Sequence, residues 1–359
     1  MPKFIKGIKL NQLFYEQVVK PVINKRFQQL KYSAALIGHG SEVLGYDDIT
    51  STDHNWGPRL LLFLSEKDYR KYNKTIHKTL QEELPHKFLG WPTNYKRFEK
   101  NTWLLQNISK GKVNHRIEIY TIKSYFEDLL HVGTDAIKTS EWLTFSEQRL
   151  LAITKGKIYH DDLNLAKERA KFSYYPRDIW LYLLSAQWMK ISQEEAFVGR
   201  SGEVGDELGS RIVASRIIRE IMRLCFLMEK KYAPYTKWFG TAFSELDCAS
   251  RFNPILLRIL VSTSWKERER GLSEAYTILA DMHNKLEITR PMKTEVSKFH
   301  SRKFFVIHSD AFAKEILSSI KNREIRQVRQ YIGSVNQFVD STNVLDSAEL
   351  TKKLQIVYR

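Results

Sequence analysis

The chain has 359 residues, 43% of them hydrophobic, so it is a folded protein long enough for two domains rather than a disordered one. Two cysteines exclude a disulfide framework, and no apolar run approaches the roughly 20 residues of a membrane span. A net charge of +16 and a pI near 9.6 favour an anionic partner: a nucleoside triphosphate, RNA, DNA or a membrane surface.

The charge is dispersed. Lys67, Arg70, Lys71, Lys74 and Lys78 share one stretch, and Arg211, Arg216, Arg219 and Arg223 another, with no arginine-rich tail. Met1-Pro2-Lys3-Phe4-Ile5-Lys6 is basic, but no apolar segment of signal-peptide type follows. Cys225 and Cys248 sit in apolar helical patterns and are expected to be buried, reduced thiols. The expectation is a soluble cytoplasmic protein with no membrane partner.

Residues 11–28 place Leu13, Phe14, Val18, Val19, Val22 and Ile23 at helical spacing, with a kink expected at Pro21. Ala34-Ala35-Leu36-Ile37 reads as a short buried strand that stops at Gly38-His39-Gly40-Ser41. Eleven residues separate Ser41 from Asp53-His54-Asn55-Trp56, and Leu60-Leu61-Leu62-Phe63-Leu64 is a second buried strand. Ser65 is a good N-cap for a helix that runs to about Leu84 and stops at Pro85.

Phe88-Leu89-Gly90-Trp91-Pro92 reads as a strand ending in a turn. Basic and aromatic residues alternate over 95–103, which reads as a surface loop or an exposed face near substrate. Residues 113–122 alternate as a strand, with Ile117 and Ile119 on one face and Arg116, Glu118 and Tyr120 on the other. Residues 123–130 form a short helix.

From about residue 139 the pattern is helical: 145–154, 164–173, 176–193, 208–231, 237–246, 254–261, 265–286, 308–320, 323–332 and 347–357. Ile158-Tyr159-His160-Asp161 interrupts it as an extended link. Tyr175, Trp180 and Trp188 have core spacing. The fold class expected is α+β: a mixed-sheet domain over residues 1–135 and an all-helical domain over 136–359.

A small Gly-Ser turn facing a polar cluster across two strands is a place where phosphate and a divalent cation meet. No G-x-x-x-x-G-K-[ST] or G-x-S-x-G motif is present, which argues against a P-loop NTPase and an α/β-hydrolase. His160, Asp281 and His283 lack zinc-site spacing.

Gly40-Ser41 with the spacing to Asp53-His54-Asn55-Trp56 resembles the hallmark of the polymerase-β-like nucleotidyltransferase superfamily. That hallmark is a hydrophobic residue, Gly-Gly or Gly-Ser, a short spacer and Asp-x-Asp/Glu, with a third carboxylate on a later strand. Glu118 takes the third position by pattern. More specifically, GHGSEVLGYDDITSTDHNWGPRL, TKGKIYHD, YYPRDIW, QEEAFVGRSGEVGDELGS, APYTKWFG and IGSVNQFVDSTNV look like a bacterial family called domain of unknown function 4037, whose members are nucleotidyltransferase-like.

The resemblance implies Mg²⁺-dependent transfer of a nucleoside monophosphate from a triphosphate, ATP foremost, to an unidentified hydroxyl on a small molecule, a protein or RNA. Asp53, Asn55 and Glu118 would hold the metal, with Asp53 the principal ligand, and Asp53 and Asn55, two apart on a strand, would share a face. Gly40 and Ser41 would approach the phosphates, and Arg59, Arg200 and Lys237 would supply cations. Asp206 and Glu194, with Glu195 beside it, are the general-base candidates, and the helical domain would close over the cleft.

Asn55 departs from the superfamily pattern, because an amide replaces the second carboxylate and removes a charge from the metal site. That keeps a second reading open, a non-catalytic nucleotide-binding regulatory protein. A third, a basic nucleic-acid-binding module, rests on charge alone. Asp47 and Asp48 read as a solvated turn or as compensating carboxylates. His54 is expected to point to the opposite face of the strand.

Overall fold

The computed structural model describes residues 2–99, 101–133 and 137–359. The chain forms two compact units, Met1–Ala136 with Arg149–Ser173, and Ile137–Gln148 with Tyr174–Arg359. The expected boundary near residue 135 is therefore crossed three times.

The first unit opens with helix α1 (Gly7–Phe14), a π-helical turn (Tyr15–Val19) and helix α2 (Lys20–Arg26). Pro21 has no N–H to give to a preceding carbonyl, and the widened turn falls immediately before it. Strands β1 (Tyr32–Leu36) and β2 (Arg59–Leu64) flank a short helix α3 (Ser41–Leu44) and a 3₁₀ turn (Thr50–Asp53). Helix α4 (Glu66–Glu83) starts at Ser65, whose hydroxyl accepts the Asp68 N–H at 3.1 Å.

Two hairpins follow, β3 (Lys87–Phe88) with β4 (Trp91–Pro92), and β5 (Tyr95–Glu99) with β6 (Thr102–Leu105). The first turns at Leu89 and Gly90, both at positive φ. The segment read as a surface loop is thus a paired ribbon. Strand β7 (Arg116–Tyr120) leads into helix α5 (Ile122–Leu130), which begins with a capping box at Thr121 and Ser124. After helices α6 (Thr139–Trp142) and α7 (Glu147–Thr154) comes strand β8 (Lys157–Asp161), then α8 (Leu165–Ala170).

The sheet has the order β7-β2-β1-β8, with β2 and β7 parallel and both neighbours of β1 antiparallel to it. The segment read as an extended link is its edge strand, secured by the Ser33 hydroxyl on Asp161 at 2.7 Å. One face carries Tyr32, Ala34, Leu60, Leu62, Leu64 and Ile117, packed with Phe14, Val19, Ile76 and Leu80 into the core. Strand alternation puts Arg59, Leu61, Phe63, Arg116, Glu118 and Tyr120 on the other face. Leu36, Arg59, Arg116 and Lys157 lie at the same end of the sheet.

The second unit is built round helix α9 (Arg177–Glu194), buried on every side from Ile179 to Trp188, where consecutive residues are all buried. Helices α10 (Phe197–Glu203), α11 (Glu207–Met228), α12 (Thr236–Phe243), α13 (Ala249–Val261) and α14 (Trp265–Lys285) follow. A small hairpin, β9 (Ser297–Lys298) with β10 (Phe305–Val306), makes this unit mainly rather than wholly helical. Helix α15 (Ser309–Ser318) brings Phe312 to stack on Trp188 at 4.3 Å. Cys225 and Cys248 are buried and free. Among the described residues no helix is long and apolar enough to cross a membrane.

Candidate functional site

The glycine turn leaves β1 at the sheet end just described. Gly38 and Gly40 adopt φ of 100° and 140°, which side chains with a Cβ rarely take. A Cβ on Gly40 would stand 2.5 Å from Glu42 Oε2 and 2.6 Å from Arg59 Nη2. The second glycine is therefore dictated by an ion pair beneath the turn, and Ser41 begins α3 directly after it.

That pair corrects the role expected of Arg59. Its guanidinium is buried and donates to Glu42 Oε1 at 2.8 Å from Nε, with Nη2 2.6 Å from the same oxygen. Nη2 also donates to the His39 carbonyl at 2.6 Å. Burial alone would lower the arginine pKa, but the Glu42 carboxylate outweighs it and the pKa is raised. Arg59 braces the turn from below instead of offering a cation to a triphosphate.

The polar loop has three layers. Asp47, expected in a solvated turn, is buried: Oδ2 accepts the Gly7 N–H at 2.6 Å and the Trp56 indole N–H at 3.0 Å. Asp48 is exposed and its Oδ1 accepts the N–H groups of Thr50 and Ser51, initiating the 3₁₀ turn. Asp53 ends that turn with its side chain 63% exposed, and Oδ1 lies 2.9 Å from both the His54 N–H and His54 Nδ1. His54 thus lies out in solvent against Asp53 and not on the opposite face of a strand, and Trp56 is the buried aromatic of the loop.

Asp53 and Asn55 do not share a strand face, because β2 begins only at Arg59. Asn55 takes φ 54°, a left-handed conformation that asparagine tolerates. Its N–H donates to the Trp103 carbonyl at 2.7 Å, and its Oδ1 accepts from the Trp103 N–H at 3.0 Å and Arg116 Nη1 at 3.2 Å. Its Nδ2 donates to the Asn101 carbonyl at 3.0 Å. Both amide lone pairs are engaged, so Asn55 is a latch on the β5–β6 hairpin and not a metal ligand in this arrangement.

Arg116 continues the network. Its Nη2 stands 3.1 Å from Glu118 Oε1, and the Tyr120 hydroxyl donates to Glu118 Oε2 at 3.1 Å. Burial and the adjacent Glu118 charge raise the Tyr120 pKa, so its hydroxyl stays a donor. Asn55, Arg116 and Glu118 form a continuous bridge from the Asp53 loop to the sheet. Among the described residues no three His, Cys, Asp or Glu side chains form a metal-holding group. With Asn55 engaged elsewhere, the carboxylates left from the expected set are Asp53, which is exposed, and Glu118, whose two oxygens accept from Arg116 and Tyr120.

The other candidates belong to the second unit, where each has a structural partner. Asp206 caps α11, its Oδ1 accepting the Gly209 N–H at 2.7 Å. Glu194 pairs with Arg216 through both oxygens, at 3.0 and 2.5 Å. Arg200 lies 3.7 Å from Glu203, and Lys237 Nζ stands over the Trp238 ring, 5.0 Å from its centroid. Glu195 is buried and accepts the N–H groups of Ile307 and Ser309, each at 3.1 Å, and the Ser309 hydroxyl at 2.9 Å. It fastens the chain between β10 and α15.

Sequence reasoning missed Glu42 and Arg116, and placed Asp47 in solvent when it is buried. Arg116 was legible as the same-face neighbour of Glu118, but nothing in the local pattern marks Glu42 or Asp47 as buried.

Residues 142–239 match the family described as domain of unknown function 4037. The match covers most of the second unit's first helices and β8, and leaves out the glycine turn, Asp53 and Glu118. Comparison with curated proteins finds no match. Among solved structures the chain is similar to a nucleotidyltransferase-like protein from Exiguobacterium sibiricum, 11% identical, over 88% of this chain and 92% of that chain, with a TM-score of 0.33. At that score the likeness carries no weight for the site, and the firm comparison is the family match over residues 142–239.

Proposed function

We propose that the first unit binds a nucleoside triphosphate, ATP foremost, with Mg²⁺, and transfers its nucleoside monophosphate to a hydroxyl acceptor. The observation that carries this reading is the Asn55–Arg116–Glu118 bridge, which ties the Asp53 loop to Glu118 through Arg116, the residue of that strand at the sheet end where the glycine turn emerges. Asp53 and Glu118 would hold the metal, which when bound neutralises phosphate charge and orients the leaving group. Gly40 allows close approach of phosphate to the backbone, and Ser41 supplies a hydroxyl there. The acceptor oxygen bonds to the α-phosphorus, the bond to the bridging oxygen breaks, pyrophosphate leaves, and the hydroxyl proton passes to the Asp53 carboxylate.

The full engagement of Asn55 favours one second reading, a nucleotide-binding regulator without turnover, since two carboxylates hold metal charge less well than three. Incubation with Mg²⁺ and α-labelled triphosphates, with and without cell extract, separates the two. Label transfer that Asp53→Ala abolishes supports the transferase. Triphosphate binding without transfer to any acceptor supports the regulator, and absence of triphosphate binding overturns both.

A further inference from the structure

The β5–β6 hairpin is latched to the Asp53 loop through Asn55, yet nothing in the nucleotide chemistry uses it. Phe98 is 66% exposed, large for an aromatic ring with no role in the core. Lys96 and Arg97 beside it are exposed. On the opposite strand the Trp103 ring has two guanidinium groups near it, Arg97 at 5.9 Å and Arg116 at 5.5 Å from its centroid. Arg116 reaches in turn over Tyr95, at 6.0 Å. The hairpin thus offers an open ring, a tryptophan with two arginines close to it and a lysine, all joined to the loop that carries Asp53.

Charge narrows the ligand. With Arg116 paired to Glu118, the exposed charges of this ribbon are Lys96 and Arg97 against Glu99, within a chain of net charge +16. A polycationic small-molecule acceptor is repelled there, whereas a phosphodiester chain is attracted. An open aromatic ring gains most from an unstacked base, which a duplex does not present. Resting on the nucleotidyltransferase reading, we infer that the β5–β6 hairpin binds a single-stranded polynucleotide and that the acceptor hydroxyl is at the end of that strand. A base stacks on Phe98, and Lys96 and Arg97 take the backbone phosphates.

The test is fluorescence anisotropy of the full chain with labelled single-stranded RNA and DNA 12-mers, the matching duplexes, and heparin as a base-free polyanion competitor, across a salt series. Phe98 and Lys96 are solvent-exposed, so their substitution leaves the fold intact. The inference expects single strands to bind about tenfold tighter than duplexes, Phe98→Ala to weaken single-strand binding about tenfold, and Phe98→Trp to restore it. Lys96→Ala should make the dependence of log affinity on log salt shallower by about 0.7. The RNA and DNA arms identify the sugar. Failure to bind single strands overturns the inference, as does binding that heparin displaces fully and Phe98→Ala leaves unchanged, or label transfer to a protein acceptor only. ATP binding measured on the same samples separates the two readings: ATP without polynucleotide overturns this inference alone, and polynucleotide without ATP overturns the transferase while the hairpin's role stands.

Discussion

Asn55 and Trp103 hold each other through a reciprocal pair of hydrogen bonds, the Asn55 N–H on the Trp103 carbonyl at 2.7 Å and the Trp103 N–H on Asn55 Oδ1 at 3.0 Å. With Nδ2 on the Asn101 carbonyl, the side chain acts as a short stretch of strand attached to a loop. This explains an amide where the superfamily pattern has a carboxylate. An aspartate would set an acceptor against the Asn101 carbonyl.

Asn55→Asp is therefore expected to lower stability by about 0.5–1.5 kcal/mol, the net worth of one solvent-exposed hydrogen bond. Denaturant unfolding measures it. Mg²⁺ affinity, followed by titration, should not rise. A variant that is as stable as the parent and binds Mg²⁺ more tightly would return Asn55 to the metal site.

Gly40→Ala meets two obstacles, a φ of 140° and contacts of 2.5–2.6 Å with Glu42 and Arg59. The expected cost is about 1–3 kcal/mol from backbone strain alone, with loss of triphosphate affinity as the turn shifts. Gly45→Ala is the control. It also sits at positive φ, but its Cβ would meet nothing within 4 Å, so stability should fall by strain and triphosphate affinity should stay.

The Arg59–Glu42 pair is buried, so removing one partner leaves an uncompensated charge under the turn. Glu42→Leu should cost about 3–5 kcal/mol, and adding Arg59→Met should recover much of that stability. Calorimetric unfolding of the two variants checks the order. Recovery of stability without recovery of nucleotide binding would show that the pair shapes the turn.

Glu195 sets a pH dependence in the second unit. Burial pushes its carboxyl from 4.5 up to about 7, against the opposing hydrogen bonds from Ser309 and Ile307 and with help from Asp310. The folded chain then binds the proton more tightly than the unfolded chain. Its contribution is full below pH 4.5 and is lost as pH rises toward about 7. Relative to Glu195→Gln, the parent should lose roughly 3 kcal/mol of stability across that window. Parallel pH profiles of unfolding for the two proteins measure the difference, and parallel curves would show that Glu195 does not titrate there.

Much of the frame was legible because periodicity reports burial. The two apolar runs at 34–37 and 60–64, the Ser65 cap, and the alternation of Ile117 and Ile119 against Arg116, Glu118 and Tyr120 all reappear in the sheet. Residues 158–161 failed as a strand on pattern, since an edge strand with mixed burial alternates weakly and gains its place from pairing with β1. The site was less legible. Spacing located Gly40, Ser41 and Asp53, but the turn between Asp53 and β2 hides in a polar stretch where side-chain bonds, not hydrophobic period, decide the path. Arg59 looked like a cation for phosphate because the sequence carries no sign of its distant partner Glu42.

If Asp53 and Glu118 hold the metal, nucleotide binding depends on a divalent cation. ATP affinity measured by calorimetric titration with and without Mg²⁺ tests it most directly, in the parent, Asp53→Asn and Glu118→Gln. Mg²⁺ is expected to tighten ATP binding at least about tenfold in the parent, a gain of about 1.4 kcal/mol, and either substitution is expected to remove the gain. ATP binding that is indifferent to Mg²⁺, or a Mg²⁺ effect that survives both substitutions, would contradict it.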